Sequence, residues 1–289
     1  MAEQRSPAGV VACGVLFLAV CGCSGEPPNV ATGPDAAEIH FAREGSGDPA
    51  ILFVHGWAND RTVWDEQVDH FANRYQVVAV DLPGFGESTA SRSDWSMRMF
   101  GEDVVTVIRA LELERVVLVG FSMGSAVVIE AANRIPERVA GVVIVDHLHD
   151  VEARYPPEML DAIESTMMDL VRNPAPDKFG SFIRHDVEES YDRVLAMIEG
   201  GPRPGWRESL REAIRWTNED SRDALERLTV PVVAINSDQE PTDVEAFRRY
   251  VPSFQARIIP NVGHVVMWDA TEAFNRLLEE TIHAFSSEQ

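Results

Sequence analysis

Short apolar segments alternate with longer amphipathic segments along most of the 289-residue chain. The apolar segments are rich in β-branched residues and end at glycine, proline or polar residues, so each predicts a strand buried on both faces of a sheet. The amphipathic segments repeat apolar residues every three to four positions, which predicts helices. This alternation predicts an α/β fold with a mostly parallel central sheet flanked by helices.

The pattern also predicts where the elements lie and how the domain is divided. Predicted strands cover residues 37–43, 51–54, 76–80, 115–119, 139–145, 230–235 and 256–259. Predicted helices cover residues 64–72, 97–111, 125–133, 157–172, 187–198, 207–217 and 271–286. Residues 147–228 are polar, charged and interrupted by proline and glycine. We therefore predict a core formed by residues 37–146 and 229–289, with a helical cap at 147–228 inserted after the sixth strand.

The charge of the chain restricts its partners. Asp and Glu number 47 against 25 Lys and Arg, which gives a formal net charge of −22. Such a chain repels phosphate backbones, so nucleic acid is excluded as a partner and a small-molecule substrate is expected. A strongly anionic substrate would need a local basic patch, and none is visible in the sequence.

The first 25 residues resemble an export signal rather than part of a fold. Arg5 and the amino terminus supply positive charge, and the apolar run 9–20 has the length of a signal-peptide core but is short for a membrane-spanning helix. Small residues follow at once. An ordinary cleaved signal peptide and a misplaced start codon are the alternatives.

The end of this segment resembles the lipobox of bacterial lipoproteins. That resemblance implies removal of residues 1–22 and lipidation of Cys23, with Cys21 as the alternative site, followed by a tether at 23–36. The expected location is outside the cytoplasm, anchored to a membrane on its periplasmic or cell-surface side. All 3 cysteines lie in this segment, the third being Cys13, so the mature chain has no disulfide.

The strongest chemical motif is Gly-Phe-Ser-Met-Gly at residues 120–124, between a predicted strand and a predicted helix. A serine on such a sharp turn has a strained backbone and projects its hydroxyl from the edge of the sheet, while flanking side chains would clash with the strand and helix. Ser122 is therefore the candidate nucleophile.

His-Gly-Trp at residues 55–57 follows an early strand, and at this point the body of the chain resembles the α/β-hydrolase family from about residue 37 to residue 285. The resemblance implies an oxyanion hole formed by the main-chain N–H groups of Trp57 and Met123. We expect the imidazole of His55 to be structural, and the loop 81–88 to be structural as well.

The resemblance also implies a histidine base and an acid. His264 ends a Gly-His pair after the last strand and is the expected general base. We expect Asp238, in the loop after the strand at 230–235, to orient it. Glu240 is the main alternative, and Asp243 and Asp146 remain open, since any of these carboxylates could stabilise an imidazolium.

A metal site receives little support from the sequence. Asp146, His147, His149 and Asp150 lie close together, but alternating residues on an irregular segment rarely converge on one ion, so we expect a cap hinge or a pocket wall there and neither metal nor cofactor.

The resulting prediction is a serine hydrolase that cleaves a small or medium uncharged carboxylic ester through an acyl-enzyme intermediate. Thioester, lactone, amide or C–C cleavage remains open, as does a non-catalytic binding module on the same fold. The sequence does not indicate the oligomeric state.

Overall fold

A computed structural model describes residues 1, 29–179, 182–184, 187–199 and 203–287. The candidate lipidation sites Cys23 and Cys21, and the predicted signal peptide beyond its first residue, lie outside these described residues. Within the described parts of the chain, no helix is both long and apolar enough to span a membrane.

The described residues contain one eight-stranded sheet. Its strands are β1 (Val30–Thr32), β2 (Glu38–Glu44), β3 (Ala50–Val54), β4 (Val77–Val80), β5 (Val116–Phe121), β6 (Val139–Val145), β7 (Val232–Ser237) and β8 (Gln255–Ile259). The spatial order is β1-β2-β4-β3-β5-β6-β7-β8. The pairs β1/β2 and β2/β4 are antiparallel, and the remaining pairs are parallel. The predicted mostly parallel α/β fold is confirmed.

Helices cover the sheet and fill the segment between β6 and β7. They are α1 (Asp65–Phe71), α2 (Met97–Ala110), α3 (Met123–Ala132), α4 (Pro157–Arg172), α5 (Val187–Ile198), α6 (Trp206–Arg215), α7 (Ser221–Glu226), α8 (Val244–Arg248), α9 (Val266–Asp269) and α10 (Thr271–Ser287). One layer contains α2 packed on α3, and the other contains α1 packed on α10. Helices α4 to α7 form the helical insertion expected after the sixth strand.

The core lies where the sequence is most apolar. Every residue of β3, β4, β5 and β6 is buried, because each of these strands has helices on one face and further helices on the other. The parallel strands all end at the same edge of the sheet. The loops after β3, β5, β6 and β7 therefore lie next to one another, and this edge carries the candidate site.

Two segments differ from the sequence prediction. The end of the predicted tether is ordered, because β1 pairs with β2 and a 3₁₀ turn (Pro34–Ala36) follows it. The helix predicted to reach residue 217 ends as α6 at Arg215, and a π-helical turn (Trp216–Asp220) continues it into α7. Neither a three-residue strand nor a π turn leaves a recognisable hydrophobic period.

Candidate active site

Ser122 occupies a strained turn between β5 and α3. Its backbone has φ 50° and ψ −119°, a conformation that costs a non-glycine residue on the order of 1–3 kcal/mol. The turn is held by Ser122 N–H, which donates to Val145 O at 3.0 Å, and by Ser125 N–H, which donates to Ser122 O at 2.9 Å. The hydroxyl is part of a cavity wall, so the strained turn presents it to a substrate.

The glycines of the motif are required by close backbone approach. A Cβ on Gly120 would overlap the carbonyl oxygen of Gly124, and a Cβ on Gly124 would overlap the carbonyl oxygen of Val54 on the neighbouring strand. Ser125 fixes the same turn from its side chain, because its Oγ donates to Gly120 O at 2.7 Å. The motif therefore acts as one tightly packed strand-turn-helix unit.

The expected oxyanion donors lie beside the nucleophile. Met123 is the first residue of α3, where helix N–H groups have no intrahelical acceptor. Trp57 lies in the loop after β3, and β3 pairs with β5, the strand that leads to Ser122. Among the described residues, neither main-chain N–H has a hydrogen-bond acceptor. Both residues line the cavity that contains Ser122, so two free donors are available to a developing oxyanion.

The histidine at the end of the sheet pairs with Asp146. His264 Nδ1 lies 2.6 Å from Asp146 Oδ2, and Ser237 N–H donates to Asp146 Oδ1 at 2.6 Å. This occupies Nδ1 and leaves Nε2 of His264 for proton exchange at the cavity, which His264 and Ser122 both line. Ser122 and His264 thus share a cavity wall and Asp146 contacts the imidazole, which makes these three residues the candidate catalytic triad.

The prediction that Asp238 orients His264 is wrong in this structure. Asp238 is exposed, and its Oδ1 accepts from Asn261 N–H at 3.0 Å, which supports the turn before His264 rather than the imidazole. The physical reason is the adjacency of β6 and β7. Val145 pairs with Ile235, so the first residue after β6 reaches the same edge as the loop after β7, and from there it contacts the histidine.

The other candidate acids have different positions. Glu240 is exposed and lines a cavity that Ser122 also lines. Asp243 caps α8, with its Oδ1 accepting from Ala246 N–H at 2.8 Å. Asp146 directly follows a wholly apolar strand, β6, whereas Asp238 directly follows β7, whose last two residues, Asn236 and Ser237, are polar.

Asp146 is held as a carboxylate. Burial alone would raise its pKa, but the hydrogen bond and charge of His264 and the N–H of Ser237 outweigh burial, so its pKa lies below the ordinary value. A buried carboxylate in this state stabilises the imidazolium that forms when His264 takes a proton.

His55 has the structural role expected from the sequence. Its Nδ1 lies 2.7 Å from Gly56 O, and its Nε2 accepts from Leu82 N–H at 3.0 Å. Burial lowers the pKa of His55, so the ring is neutral, with Nδ1 as its donor. The ring therefore ties the loop that carries Trp57 to the loop after β4.

Two cavities meet at the nucleophile. One has a volume of about 80 Å³ and is mostly apolar, with a wall that includes Leu170, Val171, Phe179, Val194 and Ile198. The other has a volume of about 330 Å³ and carries many more polar side chains. Trp57, Ser122, Met167, Phe182 and His264 line both cavities, so a carbonyl at Ser122 would extend one substituent into each.

The helical insertion is joined to the core at several points near this site. The Trp206 indole donates to Gly84 O at 2.9 Å, and the Trp57 indole donates to Trp206 O at 2.8 Å. Arg193 of α5 binds Glu66 at 2.5 and 3.1 Å and lies 3.9 Å from the Trp268 ring centroid. These contacts place α5 and α6 over the cavities as a roof.

The neighbouring polar cluster does not assemble as metal ligands. His147 Nε2 lies 3.3 Å from Thr217 Oγ1, and His149 Nδ1 lies 3.4 Å from Thr242 Oγ1. Over the described ranges, no group of three or more His, Cys, Asp or Glu residues could hold a metal ion.

Comparison with known proteins agrees with this fold. The 3-oxoadipate enol-lactonase 2 of Acinetobacter baylyi is 23% identical over 264 residues, covering 88% of this chain and 96% of the relative. A thermophilic esterase from Thermogutta terrifontis superposes with a TM-score of 0.72 at 25% identity, covering 89% of this chain and 98% of the other. An esterase from Exiguobacterium antarcticum shares the fold with a TM-score of 0.74 at 20% identity, covering 88% and 99%.

The family assignment comes from the match over the body of the chain. Residues 49–271 match the sequence profile of the alpha/beta hydrolase fold family, and this range includes Ser122, Asp146 and His264. The chain therefore belongs to the α/β-hydrolase fold family and is a hydrolase of that family.

Proposed function

We propose that this protein hydrolyses small or medium uncharged carboxylic esters through an acyl-enzyme intermediate on Ser122. The observation that carries the proposal is the 2.6 Å contact between Asp146 and His264, whose imidazole shares a cavity wall with Ser122. An oriented histidine that shares a cavity with a partly accessible serine hydroxyl is the arrangement that activates a nucleophile at neutral pH.

The proposed reaction uses only groups of this chain and water. His264 Nε2 takes the proton of Ser122 as Oγ attacks the ester carbonyl, and the N–H groups of Trp57 and Met123 bind the oxyanion. His264 then returns the proton to the departing alcohol. A water molecule, deprotonated by His264, attacks the acyl-serine; His264 then gives the proton to Ser122 Oγ as the acyl–oxygen bond breaks and the acid is released.

The cavity walls support an uncharged substrate. No Lys or Arg is among the described residues that line either cavity, and the chain carries a net charge of −22. A carboxylate or phosphate on the substrate would have no cationic partner there. The volumes of about 80 and 330 Å³ fit short substituents on both sides of the carbonyl.

Hydrolysis of a different type of bond is the second candidate function, and similarity to known proteins is the reason to consider it. One relative is an enol-lactonase, so lactone opening is the main alternative to hydrolysis of open-chain esters. Thioester, amide and C–C hydrolysis use the same serine chemistry, and a non-catalytic binding module would keep the cavities but not turn over.

Hydrolysis of p-nitrophenyl esters from acetate to palmitate by the purified protein tests the proposal. We expect activity on the shorter esters that disappears in Ser122→Ala. Labelling of the wild type, but not of Ser122→Ala, by a fluorophosphonate would show an activated serine. A folded protein that hydrolyses neither esters nor lactones and resists the label would contradict hydrolysis and favour the binding module.

We further propose export and lipid anchoring through Cys23, supported by the apolar run at 9–20 and the small residues that follow it. Expression with an alkyne fatty acid in a bacterial host should label the wild type but not Cys23→Ser. Cys21→Ser is the matched control and should keep the label. Labelling lost only in Cys21→Ser would move the anchor to Cys21, and no labelling of the wild type would contradict lipidation.

A further inference from the structure

The larger cavity has one wall whose polar groups play no part in the proposed serine chemistry. His147 lies just after β6, Thr217 and Asn218 lie on the π-helical turn, and all three side chains line this cavity together with Ser122. Ligand pockets are mostly apolar, with a few polar groups that fix the orientation of the ligand, so this polar wall indicates a ligand group of matching chemistry.

The π-helical turn is what directs two consecutive residues into the cavity. Its first residue is anchored in the core, where the Trp216 indole donates to Glu130 Oε1 at 2.9 Å. Its end is held by Ser221 Oγ, which donates to Thr217 O at 2.9 Å. Because one extra residue is inserted in the helix, Thr217 and Asn218 both reach the cavity, and such turns frequently occur at functional sites.

The hydrogen-bonding capacity of this wall is only partly used within the protein. Asn218 Oδ1 accepts from Tyr155 N–H at 2.8 Å, and in the described parts of the chain the Asn218 amide N–H₂ has no acceptor. One nitrogen of His147 contacts Thr217 Oγ1 at 3.3 Å, which leaves the second ring nitrogen for a ligand. The wall can therefore both donate to and accept from one small group.

The charge state of this wall restricts which ligand groups can bind there. Burial and the neighbouring His149 and His264 lower the pKa of His147 to about 3, so the ring is neutral at ordinary pH. Asp150 and Glu240 line the same cavity, and no described residue of the lining is Lys or Arg. An anionic group would be repelled, whereas a hydroxyl or amide would find both a donor and an acceptor.

We propose that the larger cavity is a subsite for an uncharged hydrogen-bonding group, a hydroxyl or a carboxamide, on the ester substrate, recognised by His147 and Asn218. The inference rests on the proposed ester hydrolysis at Ser122. It divides the substrate into two unlike halves, with an apolar substituent in the smaller cavity and a polar one in the larger.

Isosteric substrate pairs test the subsite. On the alcohol side, 2-hydroxyethyl butyrate is compared with propyl butyrate, and on the acyl side ethyl 3-hydroxybutyrate is compared with ethyl 3-methylbutyrate. Each rate is divided by the rate of alkaline hydrolysis of the same ester. We expect kcat/KM to favour the hydroxyl ester by about tenfold or more in one pair, which also identifies the side of the carbonyl that enters the larger cavity.

Two variants tie the preference to its residues. His147→Leu removes the ring, and Asn218→Asp keeps the acceptor for Tyr155 but removes the N–H₂ donor; each should reduce the hydroxyl preference to within about twofold. Leu160→Met, in the wall of the same cavity, is the matched control and should retain the preference.

The outcomes separate the inference from the proposed function. Ser122-dependent hydrolysis without a hydroxyl preference in either pair would overturn the subsite and leave ester hydrolysis intact. A preference that persists in both variants would overturn the role of His147 and Asn218. No hydrolysis of any ester by the folded protein would overturn the proposed function itself.

Discussion

Asp146 owes its position to its own backbone as much as to its side chain. It is the first residue after β6 and has a positive φ of 45°, which turns its carboxylate back across the edge of the sheet. Its N–H donates to Ile235 O at 3.1 Å, so the turn continues the ladder between β6 and β7. Hydrogen bonds to β7 therefore hold both the backbone N–H and one carboxylate oxygen of Asp146, and the second carboxylate oxygen contacts His264.

The clearest prediction at the residue scale concerns this carboxylate. Asp146→Asn should lower kcat on p-nitrophenyl butyrate by about 10⁴-fold, because an amide neither selects the Nδ1–H tautomer of His264 nor stabilises its imidazolium. Asp238→Asn should leave kcat within about threefold of the wild type, since Asp238 contacts the Asn261 N–H rather than the imidazole.

Steady-state kinetics of both variants, with circular dichroism to confirm folding, decides between the two acids. Glu240→Gln tests the other acid that the sequence offers, and its kcat should stay within about threefold of the wild type, since no contact between Glu240 and His264 is present among the described residues. A large loss of kcat in Asp238→Asn with little change in Asp146→Asn would show that the contact at 2.6 Å is not the one used in catalysis.

His147 predicts a pH dependence of stability. Its folded pKa of about 3 lies below the unfolded value of about 6.5, so between these limits the unfolded chain binds a proton that the folded chain does not. Stability is therefore lost as pH falls through this range. Between pH 7 and pH 5 the contribution is about 1–2 kcal/mol.

Chemical denaturation at pH 7 and pH 5 measures this contribution. The loss of unfolding free energy between the two values should be smaller in His147→Gln than in the wild type by about 1–2 kcal/mol. His283→Gln, at an exposed position of α10, is the matched control and should lose as much as the wild type. Equal losses in all three proteins would contradict a neutral His147.

Strands and helices differ in how well the sequence specifies them. The core strands begin and end within a few residues of the predicted bounds, because β-branched runs buried on both faces have no other stable arrangement. The π-helical turn was not predictable, since it arises from the anchoring of Trp216 to Glu130 in three dimensions. β1 was missed because three residues carry too little pattern.

The residues of the candidate site also differ in how well the sequence specifies their positions. Ser122 and His264 follow from local motifs that have one geometric solution. The acid does not, because β6 and β7 are adjacent and parallel, and the register of Val145 with Ile235 brings carboxylates from both following loops to one edge. Sequence spacing measures distance along the chain, whereas the choice between Asp146 and Asp238 depends on distance across the sheet.

The strand-turn-helix element predicts an effect on stability that is separate from catalysis. With φ 50° and ψ −119° at residue 122, a Cβ is strained and glycine is not. The free energy of unfolding of Ser122→Gly should therefore be about 1 kcal/mol higher than that of Ser122→Ala, although both variants lack the nucleophile. Urea denaturation of this pair measures the balance between this strain and the larger unfolded-state entropy of glycine, and a more stable Ser122→Ala would show that the entropy outweighs the strain.

At the scale of the whole molecule, charge and cavity chemistry favour the same class of substrate. The net charge of −22 produces a negative potential around the protein, and the described residues that line the two cavities include no cation to reverse it locally. Two independent features therefore disfavour anionic esters: long-range repulsion during approach and the absence of a partner after binding.

The long-range part of this effect depends on salt, which makes it measurable. The Debye length falls from about 30 Å at 0.01 M to about 10 Å at 0.1 M ionic strength, so added salt removes most of the repulsion outside the cavity but little of the cost inside it. For an anionic ester such as a succinate monoester, kcat/KM should rise about threefold or more over this range. For the uncharged butyrate ester of the same alcohol, kcat/KM should change by less than about 1.5-fold.

A sodium chloride titration with both substrates measures the difference. Equal salt responses would show that the surface charge does not reach the site, and a fall for the anionic ester would reveal a cationic contact that binds it.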